Sequence, residues 1–170
     1  MENLVFLLSA VFAYKHTTSP KKFTPYFIGK TGASVVLPSN FSGFDRTNTS
    51  HRDTFYLGEC FADKVGYGVL YIDLQDEYSI EDAETMLMYY ISRLQEPFGI
   101  AHNTGIGYCI SNEGMIERRK LVDYWQDDRG HDWKLKGYTN GKYIAVLYVQ
   151  NISEIEVEKQ DFFLDSLSFS

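Results

Sequence analysis

The sequence predicts an α+β fold, a twisted antiparallel sheet of about six strands flanked by two helices. Three observations carry that expectation. The chain has 13 Tyr and 12 Phe among 170 residues, and aromatic residues favour pleated, half-buried surfaces. Short alternating apolar runs recur between clusters of turn residues. Two stretches instead show helix signatures, one an apolar stripe at helical spacing and the other a capping pattern before a short apolar run. With 44% hydrophobic residues a chain of this size buries a core without metals or disulfides. The expected organisation is an N-terminal apolar segment and linker over residues 1–26 and a single domain over residues 27–170.

The run Leu4 to Ala13 is apolar but too short to span a membrane. Glu2 and the lack of a preceding Lys or Arg argue against a secretion signal, so the run is read as an ordered strand or short helix on the domain. A cytoplasmic location follows, or a secreted or periplasmic one if the run is a signal remnant. Tyr14 to Pro25 is polar and basic and reads as a linker. Thr31 to Pro38 reads as a strand stopped by proline, and Ser39 to Asp53 as a long surface loop. Thr54–Ala62 and Tyr67–Leu74 form a hairpin around Asp63 and Lys64.

The first helix covers Ile80 to Glu96. Ala83, Met86, Leu87, Tyr90, Ile91 and Leu94 make one stripe, Ser79 and Asp82 an N-cap pair, and Pro97 the stop. A Gly-rich passage leads to a strand through Tyr108 and Ile110. Asn140-Gly141 is a strong signal for a two-residue type I′ turn. That turn sets Gly137 opposite Ile144, Leu135 opposite Val146 and Trp133 opposite Tyr148. Across the loop Gln126 to His131, an apolar face continues if Trp133 meets Tyr124 and Leu135 meets Val122, which also pairs Asp123 with Lys134. Lys142 to Gln150 is apolar on both sides and should be central. Ser153 and Glu156 read as a capping box for a second helix ending near Leu164, laid over the face of Trp125 and Leu147.

The early strand Ala33-Ser34-Val35-Val36-Leu37-Pro38, two strands before a helix, and a closing apolar strand followed by Phe162-Phe163-Leu164-Asp165-Ser166-Leu167-Ser168-Phe169 resemble the PsbP-like α/β/α fold. That fold is shared by the PsbP extrinsic subunits of photosystem II and the Mog-type proteins, and the resemblance covers about Phe27 to the C-terminus. It implies a non-catalytic adaptor or assembly factor with a protein partner, and carries over no binding residue.

The net charge of −7 argues against broad nucleic-acid binding, which needs a concentrated basic surface. Cys60 and Cys109 are too few for a zinc site or a disulfide framework, and a single bridge requires neighbouring strands. The four histidines, His16, His51, His102 and His131, lack metal-ligand spacing, so no metal and no cofactor is expected. The loop holding Trp125, Asp127, Asp128, Arg129, His131 and Trp133 places charges between two aromatics and is the first candidate contact site. Its Asp and Gly content equally suits a tight turn. Arg118, Arg119 and Lys120 with Lys134 and Lys136 form a candidate anion patch, against which stands the ordinary mixed charge of an exposed strand face. The functional expectation is a non-enzymatic binding or assembly module acting through protein contacts. The alternative is a small-molecule or enzymatic pocket between helix and sheet.

Overall fold

The structure is a computed structural model that describes residues 22–48, 52–109 and 119–170. Eleven strands and two helices are found among them. In chain order they are β1 (Phe23–Phe27), β2 (Ala33–Pro38), β3 (Asp45–Asn48), β4 (Thr54–Ala62), β5 (Val65–Asp73), α1 (Ile80–Gln95), β6 (Ile100–Asn103), β7 (Gly107–Tyr108), β8 (Arg119–Asp127), β9 (Asp132–Thr139), β10 (Tyr143–Gln150), α2 (Val157–Leu164) and β11 (Ser168–Phe169), with a 3-10 turn at Ile152–Glu154 before α2.

The fold is α+β and antiparallel, but it has two sheets rather than one of about six strands. The large sheet has the order β3-β4-β5-β10-β9-β8-β6, with β7 also pairing β8, and the small sheet has the order β1-β2-β11. Two stretches expected to be loops contribute strands. β1 contains Pro25, which an edge strand tolerates because its free N–H side faces no partner. β3 is wholly polar and mostly exposed, so only its pairing with β4 makes it a strand.

β10 lies at the centre of the large sheet, as its two apolar faces require. Ile144, Val146 and Tyr148, together with Leu70 and Ile72, face Leu87, Ile91 and Leu94 of α1. Tyr143, Ala145, Leu147 and Val149 face the other side, where Ala33, Val35 and Leu37 of β2 and Phe163 of α2 cover them. The second layer is therefore shared between α2 and the small sheet. α1 starts where its cap predicts, with Ser79 Oγ accepting from the Asp82 N–H at 3.1 Å. α2 starts differently. Ser153 sits in the 3-10 turn and contacts Asn151, so the N-cap is Glu156 and no side chain caps the helix.

Both expected registers need correction. The type I′ geometry occurs at Asp63 and Lys64, whose φ values are 50° and 69°, whereas at the other hairpin Gly141 takes positive φ and Asn140 does not. There the Thr139 hydroxyl donates to the Tyr143 carbonyl at 2.6 Å and Asn140 Oδ1 accepts the Lys142 N–H at 3.0 Å, closing a longer loop. Val146 then pairs with Gly137 and Tyr148 with Leu135. The shift is two residues, so each side chain keeps its face.

The β8–β9 register is off by one, and that reverses faces. Trp125 pairs with Trp133, Asp123 with Leu135, and Lys134 with Tyr124. The cause is the loop, where Gly130 takes φ 83° and Asp127 Oδ1 accepts both the Arg129 and His131 N–H groups. Trp125 consequently lies with the α1 cluster and Leu147 with the α2 cluster, so α2 does not cover both. Cys60 on β4 and Cys109 beyond β7 are five strand spacings apart, about 24 Å at ~4.8 Å each, and both are free thiols. The apolar run Leu4 to Ala13, His16, His51, Ile110 and Arg118 lie outside the described residues. No helix among the described residues is long and apolar enough to cross a membrane.

Candidate functional site

Glu59 on β4 stands opposite Gly68 on β5, and Gly68 opposite Tyr148 on β10. Because Gly68 has no side chain, the Tyr148 ring lies across it and its hydroxyl donates to Glu59. Burial pushes the Glu59 carboxyl above its ordinary value, and the Tyr148 hydrogen bond acts in the opposite sense. Burial also lifts the Tyr148 phenol well above 10, which keeps it a donor. One row further along the same face, Gln150 pairs with Trp133.

The chain leaving α1 closes this corner. Phe98 stacks on Trp133 with ring centroids 4.8 Å apart and leans on Tyr148 at 5.0 Å. Gly99 turns the chain at φ 63°, and its carbonyl accepts the Asp128 N–H at 2.9 Å, tying the helix end to the β8–β9 loop. Between them is a cavity of about 250 Å³, lined by Glu59, Gln150 and Trp133 from the sheet, Glu96 to Gly99 after the helix, and Asp127 to Arg129 from the loop.

Asp127 organises the loop from inside. Burial works against its charge, yet the His131 N–H, the Trp133 indole at 3.1 Å and the His131 ring at 3.0 Å hold its carboxyl below the ordinary value. A carboxylate with this many donors stays ionised. Trp125, directly opposite Trp133, makes the matching contact, donating to Asp123 at 2.7 Å.

The cavity thus brings together four of the six loop candidates, Asp127, Asp128, Arg129 and Trp133, while Trp125 and His131 do not line it. Both indoles are buried, so the loop offers solvent the side chains of Asp128 and Arg129. Truncating either tryptophan would open the core instead of trimming a surface. Glu59, Glu96, Phe98, Gly99 and Gln150 were not recognisable as site residues. One signal existed for Glu59: a carboxylate in an apolar strand, facing a glycine once the Asp63-Lys64 turn sets the hairpin.

The basic residues are occupied by the chain's own carboxylates. Lys134 reaches Asp161 at 2.9 Å, Lys136 reaches Asp161 and Asp165 at 2.7 Å each, and Lys120 pairs with Asp165. Arg119 points to the opposite face and pairs with Glu84 at 2.9 Å. Lys134 and Lys136 are only 7% and 9% exposed. Together with the Tyr138 hydroxyl, which donates to the Leu164 carbonyl at 2.6 Å, these lysines clamp α2 to the sheet. Burial opposes the charge of Asp161 and Asp165, but the lysines hold both carboxyls below their ordinary value.

Among the described residues no group of three or more His, Cys, Asp or Glu side chains is placed to hold a metal ion. No protein-family model matches the chain, and no curated protein matches it.

Proposed function

We propose that this chain is a non-catalytic binding or assembly module that holds a protein partner at the cavity between the end of α1 and the large sheet. The observation that carries the reading is the size and build of that cavity. Sites that enclose a whole drug-sized molecule usually run from about 300 to 1,000 Å³, and this one is about 250 Å³. It suits one inserted side chain, with the rest of the partner lying on the exposed Asp128 and Arg129 rim. A buried anchor in a pocket surrounded by a polar rim is how protein interfaces concentrate affinity. Membership of the PsbP-like family belongs to the same reading. It is supported by an antiparallel sheet covered on both faces with one helix on each side, and by the β4–β5 hairpin that directly precedes α1.

The test is a photo-crosslinking residue in place of Arg129, compared with and without Gln150→Trp, which fills the cavity. A single partner crosslinked by the open form and lost from the filled form is the expected result. Capture that is indifferent to filling would refute the reading. A small molecule that co-purifies with the open form alone would favour the alternative, a small-molecule site.

A further inference from the structure

We infer that the cavity takes a cationic head group, a guanidinium or ammonium, presented on a side chain of the partner. This rests on the cavity being the binding site, as proposed above. The carrying observation is an inventory of donors and acceptors. The donors built into the walls are turned onto the protein's own groups: the Tyr148 hydroxyl onto Glu59, the Trp133 indole and Gln150 Nε2 onto Asp127, and the Asp128 N–H onto the Gly99 carbonyl. What is left is acceptors. Among the described residues Glu59 Oε2 and Gln150 Oε1 receive no hydrogen bond from the protein, because the recorded bonds reach Glu59 through Oε1 and use Gln150 through Nε2. A ligand that satisfies these two oxygens must itself donate, and an anion would meet two acceptors with only the second Gln150 N–H to bind it.

Charge points the same way. Glu59, Glu96, Asp127 and Asp128 line the cavity against the single guanidinium of Arg129, which is exposed at the mouth. The cavity also opens at the C-terminal end of the 16-residue helix α1, the negative end of the helix dipole. Phe98 and Trp133, stacked on each other, close the apolar side of the cavity. Glu59 is partly desolvated and linked to one donor, so a cation arriving at Oε2 completes its coordination.

The full chain, labelled with ¹⁵N, is titrated with N-acetyl-arginine methylamide, its neutral isostere N-acetyl-citrulline methylamide, and agmatine as a free amine. The readouts are the Trp133 indole and the Gln150 side-chain amide signals. The arginine probe is expected to shift both, and the citrulline probe neither. Glu59→Gln keeps an acceptor for Tyr148 while it removes the charge and turns the second acceptor oxygen into an NH2 donor, and it should weaken the arginine probe at least about tenfold. Asp128→Asn, at an exposed position, gives the same direction of change independently of the core. Tighter binding of the peptide-like probe than of agmatine identifies a partner's side chain as the source, and the reverse order identifies a free amine and overturns that half of the inference. Equal shifts from citrulline overturn the cationic class while leaving the cavity as the site. No shift from any probe, with crosslinking indifferent to Gln150→Trp, overturns both.

Discussion

Replacing Gly68 by Ala tests whether the Glu59, Gly68 and Tyr148 row holds the floor of the cavity. A Cβ at this position would lie 2.5 Å from the Tyr148 hydroxyl oxygen and closer still to two ring carbons. Ordinary contact between such atoms needs about 3.5 Å, so the ring must move by about 1 Å or more. It has little room, being fully buried on the central strand against Phe98 and Trp133. Overpacking of this kind costs about 1–3 kcal/mol. A displaced ring also leaves the buried hydroxyl and the Glu59 carboxyl unpaired, for about 1–3 kcal/mol more. Removing a glycine from a strand returns about 0.5–1 kcal/mol. The net expectation is a loss of about 3 kcal/mol, or about 6–12 °C in Tm for a chain of this length. Urea unfolding of Gly68→Ala, Tyr148→Leu and the double variant measures it, since leucine is too short to reach the new methyl. The double variant should recover at least about 1 kcal/mol relative to the sum of the singles. A Gly68→Ala protein within about 0.5 kcal/mol of the parent, or strictly additive effects, would refute this account of the floor.

Asp161→Asn leaves Lys134 and Lys136 nearly buried with half their compensating charge, and because Asp161 itself is 37% exposed the expected loss is moderated to about 2 kcal/mol in urea unfolding. Acid should unfold the protein through Asp127, Asp161 and Asp165: their folded values lie below the ordinary 3.8, so their contribution is present above that pH and disappears as pH falls through the lowered values. Thermal melts between pH 2 and 7 measure that slope, which Asp161→Asn should flatten. Glu59 works in the opposite sense, because its folded value is raised above 4.5. Its contribution is complete below that pH and is lost as pH rises through the raised value, so Glu59→Gln should remove a small decline in stability on the alkaline side of that range. Burial, with Glu59 alongside, pushes the Cys60 thiol up to about 12, so in a Cys109→Ser protein native Cys60 should react with Ellman's reagent at pH 8 roughly 10³-fold more slowly than a free thiol. Equal rates before and after adding urea would contradict that burial.

Local chemistry made some of this protein readable in one dimension. The Ser79 cap, the stripe from Ala83 to Leu94 and Pro97 act within a few residues of one another, and α1 forms where they place it. The two apolar faces of β10 follow from alternation alone, and both are buried. Register was less accessible because side chains rewrote the loops. The Thr139 hydroxyl lengthened one hairpin by an even step, which left the faces intact, and the Asp127 carboxylate lengthened the other by an odd step, which reversed them. A hydrophobic pattern cannot reveal such a step where, as on β8, both alternations contain plausible core residues: Val122 and Tyr124 against Leu121 and Trp125.

The same division runs through the site. Asp127, Asp128, Arg129 and Trp133 are adjacent in sequence and stand out there, since a charged turn beside an aromatic is visible in composition. Glu59, Gly99 and Gln150 come from three distant stretches and meet only because β10 inserts between β5 and β9 and because α1 ends over that junction. Composition and periodicity therefore sufficed for the fold class, the first helix and the central strand, since each depends on neighbours a few residues away. Strand order, the small second sheet, the pairing of the lysines with α2 and the cavity arise from long-range burial, where the partner that satisfies a group lies from 25 to 134 residues off and no local pattern records it.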